Sequence, residues 1–241
     1  MGITQFWYML FVCRRKVASL AICSLFCFSP AFSQVSKKSV NYQEYSSKEY
    51  YFGISLGFNS SRHRVFHSKE FIGNPDIISA LGVPGPGFNV HGIINYKFGE
   101  YFDFRVLPGF TFATRYLDFN TNNRTTVESI FVELPFHIRY KSAPYKDKRA
   151  FVIAGINYSY DVASNSETRM ADEFIKISPH DFQAEVGFGM QFFLPYFIFS
   201  PEIKFSRGIT NTLLYNNQII ESTVLEKLTS QVFTLSFHFE G

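Results

Sequence analysis

The sequence predicts an all-β fold, an eight-stranded antiparallel β-barrel of the transmembrane kind, and three observations predict it. Eight segments alternate with the two-residue period of a strand, so one face of each is aromatic or aliphatic and the other polar. Charges within those segments fall on the polar face, until Arg207 at the far rim of the seventh. Aromatic residues make up 19% of the 241, with 30 Phe, which is high for a soluble core. A soluble sandwich would turn its apolar faces toward a shared interior and seldom needs Phe at nearly every such position. Here the aromatic face reads as the outside.

Residues 1–33 read as a cleavable signal peptide. Arg14, Arg15 and Lys16 precede an apolar run over 17–28, and Ala31-Phe32-Ser33 forms a small-x-small site with cleavage expected before Gln34. The basic cluster sits deep, which leaves initiation at Met9 open, and nothing after Arg14-Arg15 supports twin-arginine export. Cys13, Cys23 and Cys27 all lie in this leader. The mature chain therefore has no disulfide, thiolate metal site or Cys nucleophile. Ile22 and Phe26 are too large for a lipidation site ahead of Cys23 or Cys27. Lys and Arg total 23 against 20 Asp and Glu, and three of the cations are in the leader, so 20 face 20 in the remainder. No excess of basic charge points to nucleic acid. Residues 34–49 are polar and aperiodic and read as a flexible periplasmic tail.

The barrel is expected over 50–241. Its first strand sets Tyr50, Phe52, Ile54, Leu56 and Phe58 against Gly53, Ser55, Gly57 and Asn59. The second sets Phe88, Val90, Ile94, Tyr96 and Phe98 against Asn89, His91, Asn95 and Lys97, and turns at Gly99. Phe102, Phe104, Val106, Phe110 and Phe112 oppose Asp103, Arg105, Gly109 and Thr111 in the third. In the fourth, Ile130, Val132, Leu134, Phe136, Ile138 and Tyr140 oppose Ser129, Glu133, His137 and Arg139. The fifth opposes Val152, Ala154, Ile156, Tyr158 and Tyr160 to Gly155, Asn157, Ser159 and Asp161. The sixth and seventh form a hairpin folded at Leu194-Pro195, with Phe182, Val186, Phe188, Phe199, Ile203 and Phe205 opposite Gln183, Glu185, Gln191, Glu202 and Lys204. Residues 186–201 carry no charge, but that run is shorter than the roughly 18 residues of a spanning helix, and Gly187, Gly189 and Pro195 would break one. The eighth strand sets Phe233, Leu235, Phe237 and Phe239 against Thr234, Ser236, His238 and Glu240.

An apolar band toward lipid, a polar lumen and an even strand count mark an outer-membrane barrel, exported through the signal peptide to the outer membrane of a Gram-negative envelope. Short connections at Gly99, Leu194-Pro195 and 141–149 face the periplasm; 61–87, 117–126, 163–179 and 210–229 face outward. Eight strands enclose little more than side chains. The inward Arg105, Arg139 and Lys204 are expected to pair with Glu133, Glu185 and Glu202 beside His137, a structural polar network filling the lumen. The alternative is a narrow channel for ions or small solutes. Pro108, Pro135 and Pro201 lie inside strands, and bulges or bends are expected there.

No residue pattern assembles a catalytic, cofactor or metal site. His63 and His67 have metal-ligand spacing but read as solvated loop histidines without an acidic third ligand. His180-Asp181 near Ser178 is the only hint of a rim hydrolase, and nothing supplies nucleophile, base and orienter together. In the first outer loop, Val83-Pro84-Gly85-Pro86-Gly87 reads as a stiff turn. In the last, Ile219, Ile220, Val224, Leu225 and Leu228 stand among polar residues, with Thr223 and Glu226 spaced as a capping box. That pattern reads as a short amphipathic helix over the mouth or as a partner-contact loop.

Several stretches carry a resemblance: RVLPGFTF from Arg105, VESIFVELPFHIRYKS from Val127, FVIAGINYSYDVAS from Phe151, HDFQAEVGFGMQFFLPYFIFSPEIKFS from His180 and LTSQVFTLSFHFEG from Leu228. Together they resemble the PorT family of Bacteroidota outer-membrane proteins, over most of the chain from the first strand onward. The resemblance implies a non-enzymatic component of type IX secretion, which exports proteins with a C-terminal signal domain and supports gliding motility in some species. It implies outer-membrane lipid and other secretion-system proteins as partners, and supplies no catalytic residue.

Overall fold

A computed structural model of the chain describes residues 40–68, 80–119, 123–163, 176–214 and 225–241. The expected signal peptide lies outside the described residues. One helix, α1 (Val40–Ser46), precedes the strands β1 (Tyr50–His67), β2 (Ala80–Phe98), β3 (Phe102–Val106), β4 (Gly109–Phe119), β5 (Asn123–Lys141), β6 (Lys148–Asp161), β7 (Lys176–Ile177), β8 (His180–Phe193), β9 (Ile198–Gly208), β10 (Leu213–Leu214) and β11 (Leu225–Glu240). β3 and β4 are halves of one wall strand, for both pair with β2 on one side and β5 on the other. The wall then has eight strands, each antiparallel to its neighbours, and β1 closes the ring by pairing with both β2 and β11. β7 and β10 pair with each other in a separate two-stranded sheet.

The register fixes the barrel's dimensions. Opposed residues lead from Tyr51 through Asn95, Arg105, His137, Gly155, Glu185, Ser206 and Val232 to Ser61, returning to β1 ten residues along (61 − 51). That stagger over eight strands tilts them by about 40° and gives a backbone radius of about 8 Å, taking roughly 3.3 Å per residue and 4.8 Å between strands. Such a cylinder has room for side chains and little else.

Burial is inside-out relative to a soluble protein. Phe52, Phe58, Phe98, Ile156, Val186 and Phe188 are exposed on the outer wall, while Arg105, Arg139, His137, Glu185, Glu202 and Glu240 are buried within. Burying charge while exposing Phe is unfavourable in water and favourable in hydrocarbon, which places lipid against the wall. Short turns and both chain ends of the barrel lie at one end, the periplasmic one by the usual asymmetry of loop length. At the first of these turns Gly99 has φ +80°, a conformation that costs a side chain strain.

The prolines are accommodated differently from expectation. Pro108 separates β3 from β4 and Pro201 sits where the β8–β9 pairing lapses, yet the register on either side of each is unshifted. These are missing rungs, not bulges. Gly92 Nα still donates to Pro108 O at 2.8 Å and Leu107 Nα to Pro135 O at 3.1 Å, so the carbonyls are used where the proline nitrogens cannot be. The bulge lies instead at Pro84-Gly85-Pro86, where the β2–β4 register shifts.

Two loop expectations and the tail expectation need correction. Residues 61–67 continue β1 and 80–87 begin β2, so the Val83–Gly87 run is strand with a bulge, not a turn; Pro84 stays opposite Arg115 of β4 and Pro86 opposite Ser60 of β1, and each lacks a partner only on its other side. Leu225, Glu226 and Leu228 belong to β11, not to a helix, because Leu228 and Leu225 take up pairing with Val65 and His67 of β1. The tail is not structureless over 40–46. There α1 sets Tyr42 and Tyr45 against Phe193 and Ile198 at the periplasmic end, and Asn41 Nδ2 donates to Phe193 O at 3.2 Å.

Candidate functional site: the filled lumen

Alternation aims every second side chain inward, and the ten-residue stagger stacks them into tiers. The periplasmic tier centres on Arg139, opposite Asp103 in the β3–β5 ladder. Its Nε and Nη2 donate to Asp103 Oδ2 at 3.0 and 2.5 Å, and Nη2 also reaches Tyr51 Oη and, at 3.3 Å, Asn95 Oδ1. Lys141 Nζ donates to the other Asp103 oxygen. Arg105 gives Nε to Asn95 at 3.1 Å and Nη2 to Glu240 at 2.5 Å, and Arg139 Nη1 stands 3.6 Å from the same Glu240.

The middle tier pairs histidines with glutamates. His137 Nε2 lies 2.5 Å from Glu185 Oε2, which also accepts from Lys204 Nζ at 3.1 Å, while Ser206 Oγ donates to Oε1 at 2.7 Å. His91 Nε2 is 3.2 Å from Glu133 Oε2, to which Thr111 donates at 2.7 Å, and His238 Nε2 is 3.2 Å from Glu202. Gly155, opposite both His137 and Glu185, leaves the space the imidazole occupies; a Cβ there would lie 2.7 Å from His137 Cδ2. Among the seven residues expected to form the network, then, Lys204 meets Glu185 and His137 joins them. Arg105 and Arg139 take Glu240 and Asp103 as partners instead, and Glu133 and Glu202 take His91 and His238.

Toward the outside, Arg115 Nε donates to Ser61 Oγ at 2.6 Å and Nη1 lies 3.4 Å from His63 Nε2. His63 is buried in β1 and His67 ends that strand, so the reading of both as solvated loop histidines fails for His63. Beyond this the lumen turns apolar: Leu117, Val127, Leu213, Leu225 and Leu228 pack together, with Val65 and Ile177 against them. Leu225 and Leu228, offered as partner contacts, are thus buried in a plug; Ile219, Ile220 and Val224 lie outside the described residues. At the opposite end Arg149 reaches Ser142 O at 2.5 Å, Glu100 O at 2.6 Å and Tyr42 Oη at 3.2 Å, tying two turns to α1.

Chemically the arrangement holds charge in place and leaves little free volume. The cavity among Asn59, Asn89, Thr111, Glu133, Lys204 and Thr234 measures about 10 Å³, about one water's worth. His180 and Asp181 do not form a catalytic pair: Asp181 is buried in the lumen, while His180 is exposed on the outer wall with Nδ1 2.8 Å from Tyr158 Oη. Among the described residues no three His, Cys, Asp or Glu side chains cluster as metal ligands.

Sequence reasoning missed Tyr51, Asp103, Lys141, Arg149 and Glu240 as members of the network, although Asp103 and Glu240 stood on its polar faces. Lys141 and Arg149 fall in the expected turn over 141–149, yet they are the last residue of β5 and the second residue of β6.

A family described as outer membrane protein beta-barrel domain matches residues 32–214. In fold the chain is similar to OprG from Pseudomonas aeruginosa, at 10% identity and a TM-score of 0.47, over 80% of this chain and 95% of that one. It is similar to Neisserial surface protein A at 9% identity and 0.45, over 80% and 97%. For Ail, the attachment invasion locus protein of Yersinia pestis, the values are 13% and 0.38, over 80% and 100%. A search of the curated proteins finds no match.

Proposed function

We propose, from the premise that this chain belongs to the outer membrane protein beta-barrel domain family, that it serves type IX protein secretion as a non-enzymatic component needed for export of proteins carrying a C-terminal signal domain. The barrel resides in the outer membrane. The observation that carries the reading is the filled interior: tiers of paired charge, an apolar plug at the outer mouth and a cavity of about 10 Å³ favour an anchored surface over a conduit. The stretches from Arg105, Val127, Phe151, His180 and Leu228 that resemble the PorT family support the assignment to secretion. Its partners on this reading are outer-membrane lipid and other proteins of the secretion machinery.

Deleting the gene and following export of signal-domain cargo tests the proposal. Cargo should accumulate in the periplasm and return to the medium on complementation; undiminished secretion in the deletion strain overturns it. The channel alternative separates cleanly, because purified protein in planar bilayers gives no discrete conductance steps if the interior stays filled and regular steps if it opens.

A further inference from the structure

The outer wall carries almost no charge through the lipid band, and near its outer edge three arginines lie close together. Arg62 of β1, Gln231 of β11 and Arg207 of β9 lie opposite one another in a single row across three adjacent strands. All three side chains point outward, and Arg64 follows Arg62 on the same face. By strand spacing the Cα atoms of Arg62 and Arg207 are about 10 Å apart, within reach of one phosphate group for two side chains of that length.

Height matters as much as sign. Along a strand tilted by about 40°, each residue climbs roughly 2.5 Å, which puts Arg62 about 30 Å above Tyr50. Descending two strands along the row, Arg207 lies about 6 Å lower, at about 24 Å. The apolar band of such barrels is about 25 Å tall. Phe58, Phe205 and Phe233 lie below these arginines on the same wall and are exposed to lipid. Arg62 therefore sits at the level of the outer-leaflet headgroups, and Arg207, at the hydrocarbon edge, has a stem long enough to bring its guanidinium to the same level.

The cations are held but not neutralised. Arg62 Nε and Nη2 donate to Gln231 Oε1 at 3.1 and 2.9 Å, so an uncharged carbonyl orients the guanidinium and leaves its charge and three donors available. Arg64 lies over the Phe66 ring at 5.0 Å. Among the described residues none of Arg62, Arg64 and Arg207 forms an ion pair with a carboxylate. Within the lumen, by contrast, Arg105 and Arg139 each meet one. Like charges placed this close beside a low-dielectric wall repel, and a dianion between them relieves that.

We propose that this row is a binding site for the phosphate of an outer-leaflet glycolipid, with Arg62 and Arg207 as its two arms and Arg64 above them. The phosphate accepts from both guanidinium groups while the acyl chains lie along Phe58, Phe205 and Phe233. This goes beyond the secretion reading and needs only the outer-membrane barrel.

The test uses the purified full barrel in detergent, with native mass spectrometry reading retained lipid. Probes are bisphosphorylated lipid A, the same lipid stripped of both phosphates, inorganic phosphate, and a soluble sulfated oligosaccharide. The wild type should retain bisphosphorylated lipid A about tenfold better than the stripped form, a preference that R62Q/R207Q loses and 0.5 M salt weakens. K146Q, in a periplasmic turn, should keep it. Equal retention of the two lipids by the wild type overturns the proposal, as does full preference in a folded R62Q/R207Q variant. Inorganic phosphate or the sulfated sugar competing lipid A away at equal concentration overturns it too, by making the site one for soluble anions. Because the two-lipid comparison uses the wild type alone, it decides the matter even if the double variant fails to fold.

Discussion

Replacing Arg139 with Met should destabilise the barrel by about 3 kcal/mol. The guanidinium is fully buried and touches Asp103 through two nitrogens, Tyr51 and Asn95 through one, and Glu240 at 3.6 Å. Met keeps the unbranched stem, lacks the guanidinium and so leaves both carboxylates without it. Removing one member of a buried ion pair costs about 3–5 kcal/mol. Here each acid keeps a second cation, Asp103 with Lys141 and Glu240 with Arg105, so the lower end applies. About 3 kcal/mol is roughly a 150-fold change in the folded-to-unfolded ratio. With a urea dependence of about 2 kcal/mol per M, the unfolding midpoint in lipid vesicles should fall by about 1.5 M. Far-UV circular dichroism and the heat-dependent gel mobility of the folded barrel both read it. The companion variant Asp103→Asn tests the cause, because the double variant should cost less than the sum of the singles by more than about 1 kcal/mol. A midpoint unchanged in Arg139→Met, or singles that simply add, would refute the claim that this pair organises the periplasmic tier.

Three further outcomes follow from the same geometry. Leu228→Ala, at the centre of the outer apolar plug, should cost about 2–5 kcal/mol in the same unfolding assay, and a loss below 1 would mean the plug is loosely packed. Val186→Arg, midway along the lipid face of β8, should cost about 2–4 kcal/mol, whereas Ser60→Arg near the outer rim should cost about 0–1; equal costs would remove lipid from the outer wall. Tyr45→Ala should lower stability by about 2 kcal/mol, and no change would mean that α1 does not hold the periplasmic end.

The sequence made the wall legible because lipid and lumen impose opposite demands on alternate residues. Phe182, Val186 and Phe188 against Gln183, Glu185 and Gln191 can be sorted by parity alone, and each falls on the expected side. Partner choice inside the lumen was not legible. Arg105 lies closer to Glu240 than to any of the glutamates the sequence nominated, because pairing depends on register across strands distant in the chain. The strand ends were misread where alternation is weak: Val83–Gly87 carries turn residues inside a ladder, and Leu225 and Leu228 sit three apart, a helix-like spacing, within β11. Helix α1 left no period in a polar segment; its hold on the barrel comes from Tyr42 and Tyr45 meeting Phe193 and Ile198.

What the amino-acid order alone determined is the strand count, the face of each strand and the medium it meets, since these are local properties of a two-residue period. What only the tertiary structure decided is the ten-residue stagger, and with it which charge meets which, how little space remains and which arginines align along the rim. Stagger is a property of the closed ring as a whole, because each strand's register must agree with that of all eight before the last can pair with the first.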